Sequence, residues 1–134
     1  MPPGLYDSSL EEISNHLGWN PQRQQLVQGL TRYLQLWDRS GFISDAYIDG
    51  SFVTSKDEPQ DVDIILVATS VALNSREFER LVSTYSLDRT QTKQTFGCEG
   101  FAVAQGANLN GWLAFFGHDR AGNERGLLRI RFPL

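Results

Sequence analysis

The sequence has little of what disulfide-rich, zinc-binding or membrane proteins need. Cys98 is the single cysteine in 134 residues, so an internal disulfide framework or a cysteine-rich zinc site cannot form. His16 and His118 have no recognisable metal-ligand spacing. The longest strongly apolar run, residues 64–68, is far shorter than the roughly 20 residues that cross a bilayer. Residues 1–4 lack the chemistry of a signal peptide. We therefore expect a cytoplasmic protein with no membrane segment.

Repeats, low-complexity tracts and interdomain linkers are also lacking, which favours a single domain over residues 1–134. The net charge is −4, with −6 on residues 1–63 and +2 on the remainder. An acidic chain is poorly suited to coating nucleic acid without specificity. The late arginines form either a local anion site or an ordinary solvated surface; they are Arg120, Arg125, Arg129 and Arg131.

Helix-capping residues divide the chain into predicted helices. Ser8 or Ser9 begins a short helix that Gly18 ends, and Asn20-Pro21 begins a long helix that Gly41 ends. Further helices are predicted over about 76–84 and 110–117. The predicted strands are residues 43–49, 61–68, 94–104 and 126–132. This order predicts an α/β (α+β) fold, in which a small mixed β-sheet has helices packed mainly on one face.

Chemistry-bearing residues concentrate between positions 47 and 67. Asp61 and Asp63 are two apart on a predicted strand, so their carboxylates point to the same side. Such a pair suits Mg²⁺, which shares its coordination sphere with water and phosphate oxygens. Upstream, Gly50 lets backbone approach a ligand, and Ser51 offers a hydroxyl and a backbone N–H to a phosphate. Together these residues predict a site for a nucleoside triphosphate and its metals.

The ordered combination of a strand, Gly50-Ser51 and Asp61-Val62-Asp63 resembles the motif of the nucleotidyltransferase superfamily, the DNA polymerase beta-like fold. A looser resemblance to a family of short bacterial nucleotidyltransferase-like proteins covers nearly the whole chain. It rests on the Pro-Pro-Gly start, Asn20-Pro21, Asp-Gly-Ser-Phe-Val-Thr at 49–54 and Phe-Phe-x-x-Asp-Arg-x-Gly-Asn-x-x-Gly at 115–126. The resemblance implies a nucleotidyltransferase-like fold.

The resemblance also implies residue roles. Gly50 and Ser51 would hold the triphosphate, while Asp61 and Asp63 would bind two Mg²⁺ ions. Glu99 would be the third carboxylate, which binds the catalytic metal and helps to take the proton from the attacking hydroxyl.

The chain departs from the family pattern in two places. The short family has aspartate where this chain has Glu99, and many superfamily members have a basic residue soon after Gly-Ser, where this chain has Phe52. Lys56 would then supply the missing positive charge to the nucleotide. Each assignment has a plainer alternative: Asp61 and Asp63 as solvated acids, Glu99 as a surface strand residue, Lys56 as a loop lysine.

The expected activity is transfer of a nucleoside monophosphate from a nucleoside triphosphate to a hydroxyl on a protein, an RNA end or a small molecule, by a two-metal mechanism. In this interpretation nucleic acid is a partner only as acceptor. The alternative is a non-catalytic nucleotidyltransferase-like binding module, one half of a toxin–antitoxin-type pair whose protein partner comes from a paired operon. The two departures and the small size support this alternative.

Overall fold

The computed structural model describes residues 4–49, 62–104 and 126–134, and its strands form one mixed sheet. In chain order the strands are β1 (Gly4–Asp7), β2 (Ile43–Asp49), β3 (Val62–Ala68), β4 (Cys98–Ala104) and β5 (Gly126–Arg131). They lie in the order β1-β5-β2-β3-β4. β2 is antiparallel to both of its neighbours, β3 and β5, whereas the β1–β5 and β3–β4 pairs are parallel.

The first two helices begin and end at the capping residues that the sequence indicated. The helices are α1 (Leu10–Leu17), α2 (Pro21–Ser40), α3 (Arg76–Val82) and α4 (Arg89–Phe96), and a π-helical turn, Ser83–Leu87, follows α3. The Ser9 side chain accepts a hydrogen bond from the backbone N–H of Glu12, and the Asn20 side chain accepts one from that of Arg23. Gly41 ends α2 in the left-handed conformation, with φ of 73°. None of the helices in the described ranges is long and apolar enough to cross a membrane.

The main core lies between these helices and one face of the sheet. Tyr33, Leu34 and Trp37 of α2 are fully buried there against strand residues such as Ile48 and Ile64. The opposite face carries a smaller apolar cluster, to which only strands contribute among the described residues: Tyr47, Ile65, Val67 and Val103. The prediction of a mixed sheet with helices mainly on one face is therefore confirmed.

The prediction of a strand over residues 94–104 is wrong at its beginning. Residues 94–96 belong to α4, and β4 starts only at Cys98. The Asp88 side chain caps α4 by accepting from the backbone N–H of Gln91, and Gly97 ends the helix with φ of 69°. Gly97 is thus a helix-ending residue and not part of a strand.

One further difference concerns an element away from this turn. β1 pairs with β5 and was not predicted. The helix predicted over 110–117 lies outside the described residues.

Candidate functional site

Strand register brings acidic residues into one row across three strands. Asp63 of β3 pairs with Glu99 of β4 in the parallel ladder. Asp49, the last residue of β2, is the position opposite Asp63 in the antiparallel ladder. Since side chains at paired positions project from the same face of a sheet, the Asp63 and Glu99 carboxylates share a face. Of the predicted site residues, these two are brought together.

The shared face is the one opposite the main core. On β3, Val62 and Ile64 pack into the main core, so Asp63 between them points the other way. Ile65, two residues later, belongs to the smaller apolar cluster of the opposite face. Both acidic residues are partly buried, and 20% of the Glu99 side chain is exposed. The carboxylates thus lie beside apolar residues, where their charge is less screened than at an open surface.

A lysine that was not predicted to belong to the site reaches this row. The Nζ atom of Lys93, on α4, is 3.2 Å from the Oε1 atom of Glu99. The sequence signal that could have found it is the pair Thr92 and Phe96, whose spacing of four places both buried side chains on one face of a helix. With residues 94–96 interpreted as a strand, that helix and its lysine were missed.

The turn between α4 and β4 is held by several backbone contacts. The N–H of Gly97 donates to the carbonyl of Lys93 at 2.8 Å, and the Arg32 guanidinium donates to the Thr95 carbonyl at 3.1 Å. Gly29 of α2 lies so close to Phe96 that a Cβ at position 29 would overlap the Phe96 carbonyl oxygen. This packing sets the position of Lys93 relative to Glu99.

A second ion pair lies near the opposite edge of the sheet, on β1 and β5. The Arg129 Nε and Nη2 atoms donate to the Asp7 carboxylate at 2.6 and 3.1 Å, and Arg131 Nε lies 3.8 Å from Asp7. The hydrogen bond from Arg129 holds the pKa of Asp7 below its usual value. Bonds to Asp7 and Tyr47 raise the pKa of Arg129. These two of the four late arginines therefore contact an acid, which disfavours them as a free anion site.

The remaining predicted site residues, Gly50, Ser51, Lys56 and Asp61, lie outside the described residues. Within the described ranges, no group of three or more His, Cys, Asp or Glu side chains is arranged to hold a metal ion. The structure therefore places one carboxylate pair, Asp63 and Glu99, and the lysine beside it.

Comparison with known proteins gives a family but no activity. The model of DUF6932, a family of unknown function, matches residues 1–131. No curated protein matches the chain. A solved structure of a candidate nucleotidyltransferase from Sulfolobus solfataricus matches over 64% of this chain and 79% of that one, with 16% identity and a TM-score of 0.32. A TM-score this low carries no conclusion about fold or activity.

Proposed function

We propose that this chain, which belongs to the DUF6932 family of unknown function, binds a nucleoside triphosphate with Mg²⁺ and transfers its nucleoside monophosphate to a hydroxyl acceptor. The observation that carries the proposal is the register of β3 and β4, which sets Asp63 beside Glu99 on one sheet face. Asp-x-Asp opening a buried strand, with a third carboxylate on the adjacent strand, is the arrangement that the nucleotidyltransferase resemblance implies.

The donor set fits Mg²⁺, which prefers carboxylate oxygens and keeps waters and phosphate oxygens in its coordination sphere. One of these carboxylates already pairs with a cation, since the Lys93 ammonium lies 3.2 Å from Glu99. Asp61, Asp63 and Glu99 would hold the ions. Bound Mg²⁺ would supply charge stabilisation for the attacking and leaving oxygens.

Residues of the chain would orient the triphosphate and take the proton from the acceptor. Gly50 and Ser51 would orient the triphosphate with backbone N–H groups and a hydroxyl, and Lys56 would add a positive charge. The acceptor oxygen forms a bond to the α-phosphorus. The bond between the α-phosphorus and the oxygen that bridges it to the β-phosphate breaks, and pyrophosphate leaves. Glu99 would take the proton from the acceptor hydroxyl, so atoms and charge balance.

A titration of Mg²⁺ and of each nucleoside triphosphate into the protein by calorimetry tests this proposal. Wild type should bind Mg²⁺, and its melting temperature should rise, since ligand at one hundred times its dissociation constant stabilises a fold by about 2.7 kcal/mol. Asp63→Asn should lose most of this response. Asp45→Asn is the matched control, because it removes the same charge from the neighbouring strand and should respond as wild type does. The proposal would be refuted if millimolar Mg²⁺ left the melting temperature of wild type unchanged.

The ion pair between Lys93 and Glu99 favours one second candidate, a non-catalytic binding module. A carboxylate neutralised by a permanent ammonium is a poor metal ligand, and glutamate places that carboxylate further from the strand than aspartate would. This candidate, with a protein partner of the toxin–antitoxin type, predicts nucleotide or partner binding without Mg²⁺-dependent release of pyrophosphate. Measuring pyrophosphate release with and without Mg²⁺ separates the two.

A further inference from the structure

The ion pair between α4 and β4 lies in the row of the candidate metal ligands. The Lys93 side chain is 45% exposed, and that of Glu99 is 20% exposed. A half-exposed ammonium on a flexible four-carbon stem exchanges partners at little cost, unlike a deeply buried ion pair. The pair can therefore open while the protein stays folded.

The backbone of Lys93, in contrast, is fixed. Its carbonyl accepts from Gly97, and the end of α4 is packed on α2 where Gly29 meets Phe96. The side chain therefore remains within reach of the Glu99 carboxylate whether or not it is paired. A lysine held in this way keeps a constant local concentration of ammonium at the site.

We propose that Lys93 is a built-in counter-ion of the Asp63–Glu99 carboxylate pair, which a divalent cation must displace in order to bind. The inference rests on the proposed function, since it concerns the same site. An ammonium and a divalent cation on one carboxylate repel each other, so each weakens the binding of the other. The lysine then neutralises Glu99 in the absence of metal and lowers the affinity of the site for free Mg²⁺.

The alternative is that Lys93 only joins α4 to β4. A lysine in the last turn of a helix is favourable by itself, because it faces the negative end of the helix dipole. Under this alternative, neutral residues at position 93 change stability slightly and leave the affinity for Mg²⁺ unchanged. The two interpretations therefore differ in a binding constant, and activity does not need to be measured.

Calorimetric titration of Mg²⁺ into wild type, Lys93→Met and Lys93→Arg tests the inference. Lys93→Met should bind Mg²⁺ at least about two- to fivefold more tightly than wild type, because the strength of a fully exposed ion pair sets the lower limit for this partly buried one. Lys93→Arg keeps the charge and should stay close to wild type. Arg89→Met is the matched control, since it removes a positive charge one turn earlier in α4, where the guanidinium lies over Phe101, and it should change affinity less than Lys93→Met does.

The outcomes separate this inference from the function that it rests on. If wild type binds Mg²⁺ and Lys93→Met binds it no more tightly, the counter-ion role is refuted and the proposed function stands. If Arg89→Met tightens binding equally, the effect is general electrostatics and the specific role of Lys93 is refuted. If neither wild type nor Lys93→Met binds Mg²⁺ while both melt cooperatively, both proposals are wrong.

Discussion

Gly29 is the position at which a single methyl group tests the packing beneath the candidate site. It lies in the interior of α2, where alanine normally stabilises a helix by about 1 kcal/mol relative to glycine. Here a Cβ would overlap the Phe96 carbonyl oxygen and lie 2.7 Å from the carbonyl carbon. For Gly29→Ala, helix propensity thus predicts an increase in the free energy of unfolding, whereas tertiary packing predicts a decrease.

Packing should dominate. The obstructing atoms belong to the backbone, which cannot rotate away, so the overpacking cost lies near the upper end of its usual range, about 3 kcal/mol. Subtracting the gain in helix propensity leaves a net loss of about 2 kcal/mol in the free energy of unfolding. For a chain of this length the loss corresponds to a fall of roughly 6–10 °C in melting temperature.

Urea denaturation followed by circular dichroism measures this loss. Gln28→Ala is the matched control, because Gln28 is the exposed neighbour in the same helix and its replacement should stay within about 0.5 kcal/mol. Gly41→Ala isolates the cost of a positive φ, since nothing lies within 4 Å of a Cβ there. A Gly29→Ala variant as stable as wild type, or more stable, would show that α2 and α4 do not approach in this way.

Two further predictions concern other contacts of the fold. A Cβ at Gly100 would overlap the oxygen of the Tyr33 hydroxyl, and that hydroxyl donates to the Tyr85 carbonyl. Gly100→Ala should therefore lower the free energy of unfolding by about 2 kcal/mol, and by less in a Tyr33→Phe background. Additive effects in this double-mutant cycle would contradict the contact. The hydrogen bond from Arg129 lowers the pKa of Asp7 below its usual 3.8. The ion pair therefore stabilises the folded protein fully above that pH, and this stabilisation is lost as the pH falls through the pKa of Asp7 in the folded state. The stability difference between wild type and Asp7→Asn in urea should therefore shrink as the pH falls below about 4, and a constant difference would refute the role of this ion pair.

The sequence predicted those elements whose signals are local. The beginnings of α1 and α2 follow from Ser9 and Asn20-Pro21, each of which caps its helix through a hydrogen bond to a residue three positions on. β3 follows from its continuous apolar run, since every residue of it except Asp63 is buried. Nothing beyond the segment itself is needed for these predictions.

The elements that were missed depend on distant partners. α4 has a single large apolar residue, Phe96, and is otherwise polar, so the spacing of Thr92 and Phe96 is too weak a signal to identify the helix by itself. β1 has four residues and pairs with β5, which is more than 100 residues away in the chain. In both cases tertiary contacts decide the conformation.

The same distinction applies to the candidate site. The strand pattern alone predicts that Asp63 faces away from the main core. Which residue lies beside Asp63, however, depends on where β4 begins and on the register in which β4 pairs with β3. A shift of one residue would turn Glu99 towards the helices. The ion pair with Lys93 depends further on the turn at Gly97, which the sequence favoured as part of a strand.

The register of β4 is set by the core and not by the site. Gly100 faces α2 with no side chain because the Tyr33 ring occupies that space, and its carbonyl accepts from the buried Ser86 hydroxyl at 2.6 Å. Any other residue of β4 at this position would collide with the ring, since each carries a Cβ. With Gly100 held against Tyr33, the preceding residue must project from the opposite face, and that residue is Glu99. The apolar packing of α2 on β4 therefore aims the Glu99 carboxylate at the row that contains Asp63.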